Sequence, residues 1–396
     1  VTGMLPAAGW KTGYARRTRP VRVLQVVAGM DLGGAETWLM SVLKAIDRER
    51  FELDFLTHKE SPGHFDAAIR QLGSSILSGP DLAQPWFYPS RFSRLMRECG
   101  PYDVVHSHCH HFSGLVLRGA AQAGVPVRIA HSHSDTRRID TAAHAARQVY
   151  LALGRRFIRQ YATRGLAVSQ AAAPSLFGDN WQTDPRISVL YCGVSPEQFQ
   201  PTNFDRAAAR SRLGIPPDAR VFGHIGRFAE PKNHGFLIDV FQAIAAAEPK
   251  AWFVLAGDGP LRGQIEAAVA RAGIARNTIL LGMRSDVPDI LRGLIDVLLL
   301  PSLWEGLPIV LIESQAAHVP CLYSEAVTAE VEEIPGLLRR LPLSQPAPQW
   351  ARAAVEMACV PFDLAINKRL NGTRFDVQVC TRRLEEIYLG LSGVNQ

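Results

Sequence analysis

Two carboxylates, Glu305 and Glu313, stand in a Glu-x7-Glu spacing on either side of Gly306-Leu307-Pro308, just after the apolar run Asp296 to Pro301. Glycine allows a tight turn close to a ligand, and proline suits the first helical position, where no N–H is needed. A helix opened this way leaves free N–H groups that bind anions and hydroxyls. Carboxylates repel phosphate but attract sugar hydroxyls, so the segment predicts a ligand both phosphorylated and polyhydroxylic. Upstream, the stretch from His224 to Asn233 sets Gly226, Arg227 and Lys232 between a strand and a helix. A planar guanidinium and a point-charge ammonium are the two usual means of neutralising phosphate oxygens.

Other segments carry weaker signals. Gly33-Gly34 follows the first apolar run and precedes a helical pattern, so backbone could approach a diphosphate or an acceptor there. The spacing is not G-x-G-x-x-G. Gly257-Asp258-Gly259 also misses that spacing, because the third glycine is Gly263, and a plain strand-to-helix turn stays open beside direct contact. His106, His108, His110 and His111 close one strand-like run, and His131 and His133 close the next. Alternate residues share a strand face, and the cluster admits a rival reading as a metal-dependent hydrolase. Against that reading, a dinuclear hydrolase motif would have Asp at position 110, and no later His and Asp pattern completes a second site.

Short β-branched runs alternating with helical patterns must position these residues, which predicts parallel sheets with crossover helices. The first half has runs at Val21–Val27, Phe51–His58, Val104–His108, Val127–His131, Gly165–Ser169 and Ile187–Tyr191, with helices at Ala35–Ile46 and Gly114–Ala123. After a linker at Ser195–Asn203 the rhythm restarts, with runs at Val221–Gly226, Trp252–Gly257, Thr278–Gly282, Val297–Pro301 and Cys321–Ser324. Helices fall at Asn233–Ala247, Leu261–Ala272 and Ile309–Ala317, and a last one carries Val377, Cys380, Leu384, Ile387, Tyr388 and Leu391 on one face. Two such halves imply a cleft beyond the carboxyl ends of the strands. The expected boundaries are a disordered basic tail over 1–20, a first domain over 21–192, a second domain over 193–374 and a terminal helix over 375–396.

Taken together, Glu305-x7-Glu313, Gly226-Arg227-Phe228 with Pro231-Lys232-Asn233, Gly33-Gly34-Ala35-Glu36-Thr37, Arg128 with His131-Ser132-His133, and Ala256 to Arg262 occur in one order. In that order they resemble the family 4 retaining glycosyltransferases of the GT-B fold, over roughly residues 21 to 391, and most of all the subgroup that builds bacterial exopolysaccharide or capsule. The resemblance implies an α/β GT-B protein: two facing Rossmann-like domains, the first binding the acceptor and the second the nucleotide sugar, with a C-terminal helix crossing back to the first. It implies transfer of a hexosyl group from a nucleoside diphosphate sugar, a UDP-sugar in preference to a GDP-sugar, with retention of configuration.

By the same resemblance Arg227 and Lys232 hold the diphosphate, Glu305 and Glu313 take sugar and ribose hydroxyls, and Gly306 and Leu307 frame the turn. Met283 and Arg284 lie by the base, and His131 sits beside the anomeric region. His106, His108 and His133 would line the acceptor side. No Asp-x-Asp pair occurs in the chain, which fits a transferase needing no divalent metal and no other cofactor. A sugar-nucleotide epimerase of the same fold and a non-catalytic carbohydrate-binding protein remain as rivals; intact Arg227, Lys232, Glu305 and Glu313 speak against the second.

Six scattered cysteines argue for a reducing compartment, and no run of 18 apolar residues is present. Through residue 190 there are 23 Lys and Arg against 15 Asp and Glu, and 20 against 22 beyond it, so the first half holds the whole excess of the +6 net charge. Eight arginines lie between Arg128 and Arg164. A solvated helix face and a surface for anionic lipid or a pyrophosphate-linked acceptor both fit; nucleic acid does not, for want of a recognition motif. The expected setting is cytoplasmic, peripheral on the inner face of the membrane.

Overall fold

The protein is described by a computed structural model covering residues 19–141, 144–200, 205–359 and 370–390. Residues 1–18 of the expected tail, 201–203 of the expected linker and 391–396 of the expected terminal helix, Leu391 among them, lie outside the described residues.

Two parallel sheets organise the chain. The first contains β1 (Val21–Val27), β2 (Phe51–Thr57), β3 (Ile76–Ser78), β4 (Val104–Ser107), β5 (Val127–Ser132), β6 (Arg164–Ala167) and β7 (Ile187–Val189), in the order β3-β2-β1-β4-β5-β6-β7. The second contains β8 (Arg220–Ile225), β9 (Ala251–Ala256), β10 (Thr278–Gly282), β11 (Val297–Leu300), β12 (Cys321–Ser324) and β13 (Leu338–Leu341), in the order β10-β9-β8-β11-β12-β13. Helices cover both faces of such sheets, so central strands are mostly apolar on both faces. Every residue of β11 is fully buried. The sequence pattern missed β3, β13 and the helices Tyr88–Cys99 and Ala347–Met357. Both missed strands are short edge strands, and Arg339 and Arg340 interrupt the apolar signal of β13.

Strand order reverses between β1 and β4 in the first sheet, and between β8 and β11 in the second. Ligands of open α/β sheets bind outside the carboxyl ends of strands at such reversals. Gly33-Gly34 and His108 lie just beyond the first reversal, and Gly226, Arg227 and the Ser302–Leu307 turn just beyond the second.

The chain crosses between the halves twice, and the two crossings are tied together. Val194 N donates to Phe375 O and Val377 N donates to Val194 O, both at 2.9 Å. Asp376 caps the terminal helix Val377–Tyr388 by accepting from Gln378 N at 2.8 Å. That helix crosses back onto the first half. Asp47 N donates to Glu385 Oε1 at 3.0 Å, and Tyr388 is buried against Phe51.

Candidate active site

In the second half, the loop after β8 and the turn after β11 are joined side by side. Leu303 N donates to Pro231 O at 2.7 Å, and Lys232 Nζ donates to Glu305 Oε1 at 2.6 Å. Ser302 Oγ donates to the same carboxylate oxygen at 2.8 Å. Both charged side chains are mostly buried, at 16% and 14% exposure, so the pair is screened far less than a surface salt bridge. Both donors thus fall on Oε1 of Glu305. Arg227 stands exposed, with no ion pair among the described residues, while Glu36 of the first half lies within electrostatic reach.

The local backbone explains why these side chains point together. Asn233 adopts a left-handed conformation (φ 54°), which asparagine tolerates, and the helix His234–Ala247 begins immediately after it. A Cβ on Gly257 would fall 1.9 Å from Gly226 O, and one on Gly259 2.5 Å from Phe228 O. The Gly257-Asp258-Gly259 turn is therefore a close backing for the Arg227 loop. Glu313, inside the helix Ile309–Ala316, is partly buried, and desolvation raises its pKa to about 7. Met283 is half exposed beside Gly282, and Arg284 is paired with Asp286 at 2.7 Å.

In the first half, Gly33 precedes the helix Gly34–Ala45, and the Glu36 carboxylate folds back over it: a Cβ on Gly33 would lie 2.3 Å from Glu36 Oε2. This helix start thus carries its own anion. The Glu36 pKa is raised, chiefly by burial. Gly34 instead faces Ile309 across the cleft, at 3.5 Å for a Cβ there.

The histidines divide into two groups. His106, His108, His131 and His133 pack as one layer against the buried Trp38. His131, expected beside the anomeric carbon, has no exposed surface: its Nδ1 lies 3.2 Å from His106 Nε2, and its Nε2 is sealed without a partner. The tight packing under Trp38 thus corrects that expectation. The histidine of this strand end that keeps some exposure is His133. His110 and His111 turn away, to Thr136 at 3.4 Å and Asp140 at 3.4 Å. The row of four expected for a hydrolase is therefore split. Nitrogens of His106, His108 and His131 do lie within 4.8 Å of one another, close enough to hold an ion.

The two halves meet at this point. Gly306 packs so closely that a Cβ would lie 2.1 Å from His133 O, and Ser169 Oγ donates to Gly306 O at 2.6 Å. Nearby, Glu330 accepts from Gln170 N at 2.9 Å and from Tyr191 Oη at 3.0 Å. The turn bearing Glu305 is thereby held against the histidine layer.

Two family models divide the chain at the same place: Glycosyltransferase Family 4 matches residues 32–198, and Glycosyl transferases group 1 matches residues 205–334. EpsF of Bacillus subtilis (strain 168), itself a glycosyltransferase by inference only, is 33% identical over 93% of this chain and 96% of its own. The UDP-Gal:alpha-D-GlcNAc-diphosphoundecaprenol alpha-1,3-galactosyltransferase of Escherichia coli is 30% identical over 74% of this chain and 76% of its own. The chain belongs to glycosyltransferase family 4. Among solved structures, HepE of Anabaena in complex with UDP-glucose shares the GT-B fold, with TM-score 0.74 over 93% of this chain and all of that one, at 19% identity.

As a family 4 glycosyltransferase, the protein is an enzyme of sugar transfer, and neither the hydrolase nor the non-catalytic binding-protein reading is supported. Sequence reasoning missed Ser302, Gln25 and Tyr388. Ser302 gave no signal. Gln25 did, as a polar residue inside an apolar strand, and Tyr388 was noted only as part of a helix face.

Proposed function

We propose that this enzyme moves a hexosyl group from a nucleoside diphosphate sugar, UDP-linked in preference to GDP-linked, to a growing lipid-linked saccharide with retention of configuration. The observation that carries this reading is the Lys232–Glu305 pair at the second strand reversal, held against the histidine layer at the first. Arg227 and Lys232 neutralise the diphosphate, together with N–H groups of the turn at Gly306 and Leu307. Glu305 holds donor-sugar hydroxyls and Glu313 the ribose. The acceptor hydroxyl attacks on the face the nucleotide leaves. Its oxygen bonds to the anomeric carbon, the bond from that carbon to the phosphate oxygen breaks, and its proton passes to the departing phosphate. Positive charge fixed where the leaving phosphate gains its negative charge lowers that barrier without reorganisation.

Support for the donor and acceptor comes from the Escherichia coli relative, whose name gives UDP-Gal as donor and a diphosphoundecaprenol-linked GlcNAc as acceptor. A surface suited to such an acceptor lies on the helix Ala145–Tyr161. Leu151, Gly154 and Ile158 face the core, whereas Val149, Tyr150 and Leu153 are exposed beside exposed Arg147, Arg156 and Arg159. Apolar side chains ringed by arginine fit an anionic membrane surface. No helix among the described residues is long and apolar enough to cross a membrane.

Calorimetry against a panel of nucleotide sugars tests the donor. Saturable binding of one nucleoside diphosphate hexose, lost in Arg227→Ala, is expected. Turnover of a bound sugar nucleotide to its epimer with no acceptor present would overturn the transferase reaction.

A further inference from the structure

Gln25 is fully buried in the middle of β1, where every neighbour along the strand but Arg22 is apolar. Both ends of its amide are engaged. The nitrogen donates to Tyr388 Oη at 2.7 Å, and the oxygen lies 2.9 Å from His108 Nε2. A hydrogen-bonded chain runs on from each end, and together the two chains take in all four histidines of the layer.

Neutral imidazole carries one proton, so a ring that donates at one nitrogen accepts at the other. Burial holds all four rings below the ordinary histidine range, His133 at about 3, and they are neutral at pH 7. The bonding order then follows from Gln25. Its carbonyl oxygen can only accept, so His108 carries its proton on Nε2 and accepts at Nδ1. His133 Nε2, 2.7 Å from that Nδ1, must supply the hydrogen. His133 Nδ1 is left as a bare lone pair, with no partner among the described residues, and it is not one of their sealed polar atoms. The backbone carbonyl of the same residue packs against Gly306, which puts His133 where the two halves meet.

The other chain takes the opposite phase. Tyr388 accepts from Gln25 and passes its single proton to His106 Nδ1, 2.9 Å away. His106 then donates from Nε2 to His131 Nδ1, and His131 ends the chain with a sealed N–H at Nε2. Reversing the Gln25 amide would reverse every bond in both chains.

We propose that Gln25 is a positioning residue that fixes the tautomer of His133 and so presents Nδ1 to the cleft as an acceptor for a saccharide hydroxyl. A lone pair at that position holds the hydroxyl hydrogen and leaves the sugar oxygen free on its other side; an N–H would occupy the oxygen instead. Only the identity of that hydroxyl rests on the transferase reading above. Tyr388, from the crossing helix, completes the layer without setting the His133 tautomer.

The test is a two-bond proton–nitrogen correlation on the full chain labelled with [15N]histidine, with His133 assigned by its loss in His133→Asn. Wild-type protein should show His133 protonated at Nε2 and bare at Nδ1. Gln25→Glu should keep that tautomer, because a carboxylate also only accepts from His108, while reversing His106 and His131. Gln25→Met should leave His133 in mixed tautomers and lower kcat about tenfold to a hundredfold, with nucleotide affinity unchanged; Gln25→Glu should recover most of that loss. A wild-type His133 protonated at Nδ1 overturns the assignment whatever the variants do, as does an unchanged His133 tautomer in a folded Gln25→Met. Failure to bind any nucleotide sugar would sink the transferase reading and leave the tautomer result standing.

Discussion

Glu313 offers a test in which stability and binding move in opposite directions. Its carboxyl has a pKa of about 7 instead of 4.5, because burial disfavours the charge. Between those values the folded chain holds a proton that the unfolded chain releases, so stability falls as pH rises from about 4.5 to about 7 and levels off above. Each pH unit of that displacement corresponds to about 1.4 kcal/mol. The whole interval would give roughly 3 kcal/mol, and allowing for the partial exposure of the side chain leaves about 1–3 kcal/mol. Glutamine has nearly the same shape and no charge. Glu313→Gln should therefore match wild type near pH 5 and exceed it at pH 8, raising the melting midpoint there by roughly 3–10 °C. The same variant should bind a nucleoside diphosphate more weakly at pH 8, since ribose hydroxyls donate best to a carboxylate. Wild-type binding should tighten as pH rises through about 7, because the ligand favours the ionised form. Thermal melts at both pH values, with calorimetry on the same samples, decide the matter. A Gln variant less stable than wild type at pH 8, or a gap that does not change with pH, would show that the Glu313 charge is already compensated inside the protein.

Arg227→Ala and Lys232→Ala should each lose transition-state stabilisation on the order of 2–4 kcal/mol, read from kcat/KM; near-normal turnover in either would remove that residue from the diphosphate site. Lys232→Ala should also lower the melting midpoint, because it strands the mostly buried Glu305 carboxylate. Gly306→Ala should cut activity sharply, since its Cβ would lie 2.1 Å from the His133 carbonyl and must push the halves apart; wild-type kinetics would show that the contact is dispensable. EDTA-treated protein should keep most of its turnover, whereas complete loss restored by zinc would put a catalytic ion among His106, His108 and His131. Flotation should show binding to anionic vesicles at low salt and release at high salt, and equal binding to neutral vesicles would assign Val149, Tyr150 and Leu153 no electrostatic partner surface.

Much of the site was legible because its motifs are local. Gly306 and Pro308 announce a turn and a helix start, and Arg227 and Lys232 follow a strand directly, so short-range geometry placed them at loop positions. The histidines were legible only in part. A strand's two-residue period shows that His106 and His108 share a face, and likewise His131 and His133, but not which ring is capped. The Trp38 indole and the terminal helix seal His106 and His131 and leave His133 partly open.

By itself the sequence determined two parallel sheets, the restart of the rhythm after the first sheet, the basic first half and the order of motifs that carries the family. These follow from periodicity, turn chemistry and composition, which act over a few residues or over the whole chain at once. Tertiary structure alone decided the partners. Lys232 meets Glu305 because β8 and β11 are neighbours at a strand reversal, an order that no local pattern encodes. Gln25 meets Tyr388, 363 positions away, because the last helix returns to the first half. A buried amide must find hydrogen-bond partners, and which partners it finds depends on how distant segments are brought together around it.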